Sequence, residues 1–416
     1  MHSGEATRYS IRRFAKFKLV LSCSGYSYVR RFVYTALVAG LCLVSACTQE
    51  SHTYSVKLFA TEETPPLLSN WGVVQREKGK LKLGKNVLPF DLNTPLFTDY
   101  AHKLRTVWIP PGKFAQFSPD DNFDFPLGTI LSKTFYYPRS TQAASSPTTL
   151  LANDDYSTDF TRHELDLDKV YLVETRLLVH QKSGWQALAY IWNEAQNEAR
   201  LEIAGDIKTL TLKMANGDTN NFYYVIPTRN ECASCHASDH TSGKLVPIGT
   251  KARHLKKIYR YYNSETSSAP ANQLITWQAK GLLDGLPNID SVTSNAQWNA
   301  SSRDQLTHRA RSYLDINCSH CHNPKGPADT SGLFLHMAEL TPRRLGNCKP
   351  PVAAGRGSGN FEFAIVPGKA NQSILTFRMQ SIDPGEMMPE LGRSTVHTEG
   401  LELINEWINS LPGDCV

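Results

Sequence analysis

The sequence lacks any apolar run long enough to cross a bilayer. Its N-terminal hydrophobic stretch, residues 32–46, falls short of the roughly 20 residues that a spanning helix needs. A phosphate-binding loop is missing too. The run Gly355-Arg-Gly-Ser-Gly359 has neither the preceding strand nor the lysine of a P-loop and reads as a flexible loop. No catalytic-triad pattern stands out. Charge of one sign is not in real excess either: the formal +5 is concentrated in residues 1–46, which hold seven of the 44 bases and one of the 39 acids. Without them 37 bases face 38 acids, a net charge of −1, which speaks against nucleic acid as a partner. Methionine is scarce, with six residues and none between Met1 and Met214.

What is present is Cys-x-x-Cys-His, twice: Cys232-Ala-Ser-Cys235-His236 and Cys318-Ser-His-Cys321-His322. A four-cysteine zinc site or a thioredoxin-like pair would need no histidine after the second cysteine. Histidine fills 13 of 416 positions, so chance places one after both pairs only about once in a thousand. The string reads as a c-type haem attachment site, the cysteines adding to the two porphyrin vinyls and the histidine serving as axial ligand. Two copies imply two covalently bound haems and a redox protein. Arg356 is then a candidate neighbour of a haem propionate.

The N-terminus points to export. Arg30-Arg31, the apolar stretch 32–46 and then Cys47 follow the layout of a signal peptide, and Val44-Ser45-Ala46-Cys47 resembles a bacterial lipobox. Cys47 would carry the lipid and anchor the protein on the periplasmic side of a Gram-negative envelope, with Thr48 favouring the outer membrane. Residues 1–28 form an unusually long lead, and a start at Val29 would leave a compact 18-residue signal (29–46). Of nine cysteines, two leave with the signal, Cys47 takes lipid and four take haem. Cys348 and Cys415 remain, and an oxidising compartment predicts a disulfide between them, with two free buried thiols as the alternative.

Five segments follow: signal peptide 1–46, tether 47–70, β-rich domain 71–225, first haem segment 226–290 and second haem domain 291–416. The fold class expected is α+β and multidomain, a sandwich-like or barrel-like β domain followed by a mainly helical haem domain. β-Branched and aliphatic runs predict strands over 170–179 and 185–192, joined by Lys182-Ser183-Gly184. Strands over 207–214 and 222–226 flank Asn216-Gly217, a hairpin signal. Beyond 226 a helix is predicted over 271–283. Another is capped by Ser302 with Gln305 completing a capping box, and it runs into Cys318. Leu401, Ile404, Trp407, Ile408 and Leu411 make a closing helical stripe capped by Thr398. A helix entering the haem pair and a closing helix are the layout of a class I cytochrome c, with Trp407 as core.

Such cytochromes complete the iron with Met or His. Met388, in Met387-Met388-Pro389 within a Gly/Pro-marked loop before the last helix, is the candidate sixth ligand of the second haem, with Met387 and Met379 as alternatives. For the first haem the nearest well-placed candidate is His254. His240, Met214, His102, His163 and His180 are alternatives.

From about Trp71 to Trp407 the chain resembles a family of bacterial di-haem c-type cytochrome lipoproteins. The resemblance rests on residues 89–100, 125–137, 184–194, 230–236, 313–322, 348–359 and 387–393. It implies covalent haems at His236 and His322. It also implies a partner of parallel β-helix type on the cell surface, since family genes often neighbour one. Two function classes follow. One is an electron carrier relaying single electrons between redox donor and acceptor proteins. The other is a haem enzyme, either di-haem peroxidase-like or the electron-exit subunit of a periplasmic dehydrogenase.

Overall fold

Segments rich in β-branched and aromatic residues pair in the order in which the chain supplies them. In the computed structural model, β1 (Leu88–Phe90), β2 (His102–Trp108), β3 (Ile130–Pro138), β4 (Val170–Gln181), β5 (Gly184–Trp192) and β6 (Ala199–Glu202) form a six-stranded antiparallel meander. The structure describes residues 54–415 apart from 61–62, 141–148, 154–158, 162–163, 262–268 and 301–304. The signal peptide, Cys47, His163 and Ser302 therefore lie outside the described residues. The β4–β5 turn is tight, with Gln181 opposite Gly184, whose φ of +109° glycine tolerates without strain. A second hairpin, β7 (Asp206–Lys213) and β8 (Thr219–Ile226), turns at Asn216-Gly217.

Side chains alternate across a strand, so the meander has two faces of different character. One face, with Leu104, Ile130, Leu177 and Tyr190, packs against Leu81 and Leu165 of a smaller four-stranded antiparallel sheet and against Trp71 of the short helical turn that precedes it. Trp71 Nε1 donates to Tyr190 Oη across that core (2.7 Å). The opposite face is apolar only at its two ends. Val107 and Leu131 belong to one cluster, while Phe135, Tyr137 and Ala189 belong to another. Between them Arg105, Lys133 and Arg176 stand directly opposite one another on β2, β3 and β4.

The helices follow the sheets. They are α1 (Glu231–His236), α2 (Ala252–Leu255), α3 (Gln273–Ala279), α4 (Leu306–Asn317), α5 (Ile374–Gln380) and α6 (Thr398–Ser410). The expected boundaries near 226 and 291 cut through a shared core. Leu88, Phe90 and Val107 pack with Ala252, Trp277 and Ile316, and Thr53–Val416 is one compact unit. Helix α3 is shorter than expected because Gly281 takes φ +68° just beyond it. Gln305 is the N-cap residue of α4, without a side-chain cap bond, rather than the third residue of a capping box. Thr398 is the first residue of α6 and His397 its N-cap. Helix α6 lies close on α4 through Gly400, where a Cβ would come within 2.5 Å of Tyr313 Oη. Trp407 is buried in the α4–α6 core, as expected. No helix among the described residues is long and apolar enough to cross a membrane.

Cys348 and Cys415 are joined, Cα to Cα 5.2 Å, 67 residues apart. The bond pins the chain end beyond α6 to the loop before Ile365, whose carbonyl accepts from the Cys348 amide. A Cys348→Ser, Cys415→Ser variant is expected to lose about 4 kcal/mol of stability, read by urea unfolding. An unchanged midpoint would mean that the bond constrains nothing.

Candidate cofactor-attachment site

Each Cys-x-x-Cys-His is presented by a helix end whose local chemistry fixes the histidine. The turn leading into helix α1 is closed by reciprocal bonds of capping-box type: Glu231 N donates to Thr228 Oγ1 (3.2 Å) and Thr228 N donates to Glu231 Oε2 (2.8 Å). His236, at its last position, donates from Nδ1 to Val246 O (2.8 Å). Helix α4 delivers Cys318, and His322 donates from Nδ1 to Leu333 O (3.3 Å). Anchoring Nδ1 on a carbonyl sets the tautomer and turns Nε2 outward, as in metal-ligating histidines. Burial pushes His236 down to about 3, with the Lys133 ammonium adding, and also lowers His322. Both shifts favour the neutral imidazole, the form in which histidine ligates metals.

The two motifs, far apart in sequence, meet. The Cys321 thiol donates to Ser234 O (3.6 Å), Asn323 Nδ2 to Ser238 O (3.5 Å), and His240 Nδ1 to Lys325 O (2.9 Å). The four cysteines are free thiols. Burial pushes Cys318 and Cys321 up to about 12 and raises Cys232 and Cys235. No three metal-ligating side chains converge among the described residues.

A cavity of about 760 Å³ opens beside the second motif, a volume within the range of cofactor pockets. Cys318, Cys321, His322, Met379 and Met388 border it. Met387 is buried and not among the lining residues. Met388 is held by its backbone: its amide donates to Arg378 O (2.9 Å), and its carbonyl accepts from Arg393 Nε (3.2 Å) and Nη2 (3.0 Å). A haem thus fits the residues present here, with a neutral histidine, two thiols and a thioether around one apolar space.

His254 does not join this set. It is buried with both ring nitrogens engaged, Nδ1 with Asn295 Nδ2 (3.1 Å) and Nε2 near Asp315 Oδ2 (3.4 Å). Closeness in sequence to His236 misleads because α2 turns into the core beneath α4. His102 is engaged by Asp159 and Asn153 O, His180 stacks on Trp185, and Met214 packs on the β7–β8 core. The groups acting electrostatically on His236 are instead Lys133, His320 and Arg176. Arg356 pairs with Asp383 on the surface (3.1 Å), not with the cavity. Sequence reasoning missed Lys133, Arg176, Asp315 and Arg393. Only Lys133 had a signal, as a charged side chain between Leu131 and Phe135 at alternate positions of one strand. Compared with protein-family models, with curated proteins and with solved structures, the chain finds no match.

Proposed function

We propose that this chain is an exported di-haem c-type cytochrome, anchored through a lipid on Cys47, that transfers single electrons in the periplasm. The observation that supports it most is the meeting of two Cys-x-x-Cys-His motifs whose histidines are both neutral and anchored through Nδ1. Cys232 and Cys235 would hold one haem and Cys318 and Cys321 the other, with His236 and His322 as axial ligands. Haem iron supplies the reversible one-electron step. The protein's own part is to exclude water from the cavity, to orient the two imidazoles and to keep the motifs in contact so that electron transfer between them is short. Helix α4, the Met388 loop and α6 are read as a class I cytochrome c-like unit.

One observation favours the enzyme reading, peroxidase-like or electron-exit subunit. With His254 engaged elsewhere, the first site has no assigned sixth ligand. Intact mass should rise by two haems, and Cys232→Ser or Cys318→Ser should each reduce covalent retention. Redox titration with and without cyanide then separates the classes. Two six-coordinate centres inert to cyanide are expected of the carrier, and a five-coordinate, peroxide-reactive iron would make it an enzyme.

A further inference from the structure

The middle of the meander's inner face is chemically out of place. Like charges directly opposite on neighbouring strands repel, yet Arg105, Lys133 and Arg176 form such a row, and Lys103 stands two residues from Arg105 on the same face. The available acids do not balance them. Glu174 takes Arg176 through two hydrogen bonds and also accepts from Tyr224 Oη. Asp91 is shared between Arg105 and Lys257. Arg105 Nη2 is buried with no hydrogen-bond partner among the described residues. Lys133 has neither a hydrogen bond nor an ion pair among them, only the Phe135 ring at 5.7 Å. Burial, reinforced by Arg105 and Arg176, pushes its ammonium down to about 7.

The row lies within electrostatic reach of the first Cys-x-x-Cys-His and of His320 in the second. Lys133 acts electrostatically on Cys235, His236 and His320, and Arg176 on Cys232, Cys235 and His236. Arg176 keeps 26% of its side chain accessible. A sheet face that is apolar at both ends and cationic in the middle needs negative charge there, since isolated buried charges are costly.

We propose that Arg105, Lys133 and Arg176 form a carboxylate-type oxyanion site beside the first attachment motif, with Lys133 at its centre. Two sources carry that chemistry: the propionates of the first haem, or a small soluble carboxylate. The inference rests on the haem reading for its first source only.

The test uses the holoprotein, its Lys133→Met and Lys133→Arg variants, and acetate as the soluble probe. Redox-difference infrared spectra report carboxylate stretches, and optical titration reports the potential of the first haem. If propionates occupy the row, the wild type ignores acetate. Lys133→Met then lowers the first potential and moves the carboxylate bands, and Lys133→Arg restores both. If a soluble carboxylate occupies it, acetate shifts the first-haem spectrum saturably in the wild type, and Lys133→Met abolishes that shift. Bands, potential and acetate response all unchanged in Lys133→Met would overturn the proposal. A wild-type protein without haem on Cys232 and Cys235 would overturn the haem reading separately. Calorimetry with acetate then decides the site: heat lost in Lys133→Met supports it, and no heat in the wild type overturns it.

Discussion

Asp315→Ala is expected to destabilise the fold by about 3–5 kcal/mol, the range for breaking a buried ion pair from one side. Asp315 sits on α4, three residues before Cys318, with a fully buried side chain. Arg253 binds it through Nε (2.7 Å) and Nη2 (3.0 Å), Asn295 Nδ2 donates to it (3.1 Å), and the Met337 amide donates to Oδ1 (3.0 Å). Removing the carboxylate leaves a guanidinium buried without its counter-charge, which costs more than the pair contributes by existing. Burial alone would raise the Asp315 pKa, and its partners instead hold it well below the usual carboxylate range. His254 is among them, but burial pushes its own pKa down to about 4, so at neutral pH the permanent charge of Arg253 is the deciding partner. The sign follows. A carboxyl with a depressed folded pKa adds stability that is full above its unfolded value, about 3.9, and is lost as pH falls toward the folded one. The gap in urea stability between wild type and Asp315→Asn should therefore be flat above about pH 5 and shrink on acidification. A gap that widened in acid would contradict the assignment.

That network also marks where the sequence stops being legible. The hairpins at residues 182–184 and 216–217 could be read because turn chemistry and alternation are local, and both formed close to where they were expected. Cys-x-x-Cys-His is local too, as is Met388 in its loop. Arg253 and Asp315 lie 62 residues apart, and nothing in either segment names the other. His254 looked like a ligand for the same reason that it is not one: only the tertiary fold decides that its ring meets Asp315 and Asn295. Lys133 lies between these cases. In β3 it alternates with Leu131, Phe135 and Tyr137, so a charged residue on a core face was visible in the pattern. That the row continued through Arg105 and Arg176 required the strand register.

On the proposed haem reading, Met388→Ala is expected to abolish a methionine–iron charge-transfer absorbance and to lower the potential of the haem held by Cys318 and Cys321, within the ~0.8 V that axial ligation spans. A thioether favours the ferrous state, so exchanging it for water or hydroxide moves the equilibrium toward ferric iron. Two methionines border the cavity, Met388 and Met379, and geometry separates their roles. Met379 sits on α5, within a helix. Met388 is on a loop fastened at both backbone atoms, and Arg393 does most of the fastening. The Arg393 guanidinium donates to the carbonyls of Met388, Arg378, Ser381 and Thr395. Two residues on, Thr395 is tied to Asp99 in the loop before β2 (2.7 Å from its amide). A loop held this way presents its thioether at a fixed place, which is what a weak axial bond requires. Met379→Leu should leave the absorbance intact, and Arg393→Gln should broaden or weaken it with Met388 still present. Loss of the band in Met379→Leu together with its survival in Met388→Ala would reverse the assignment and move the ligand to α5.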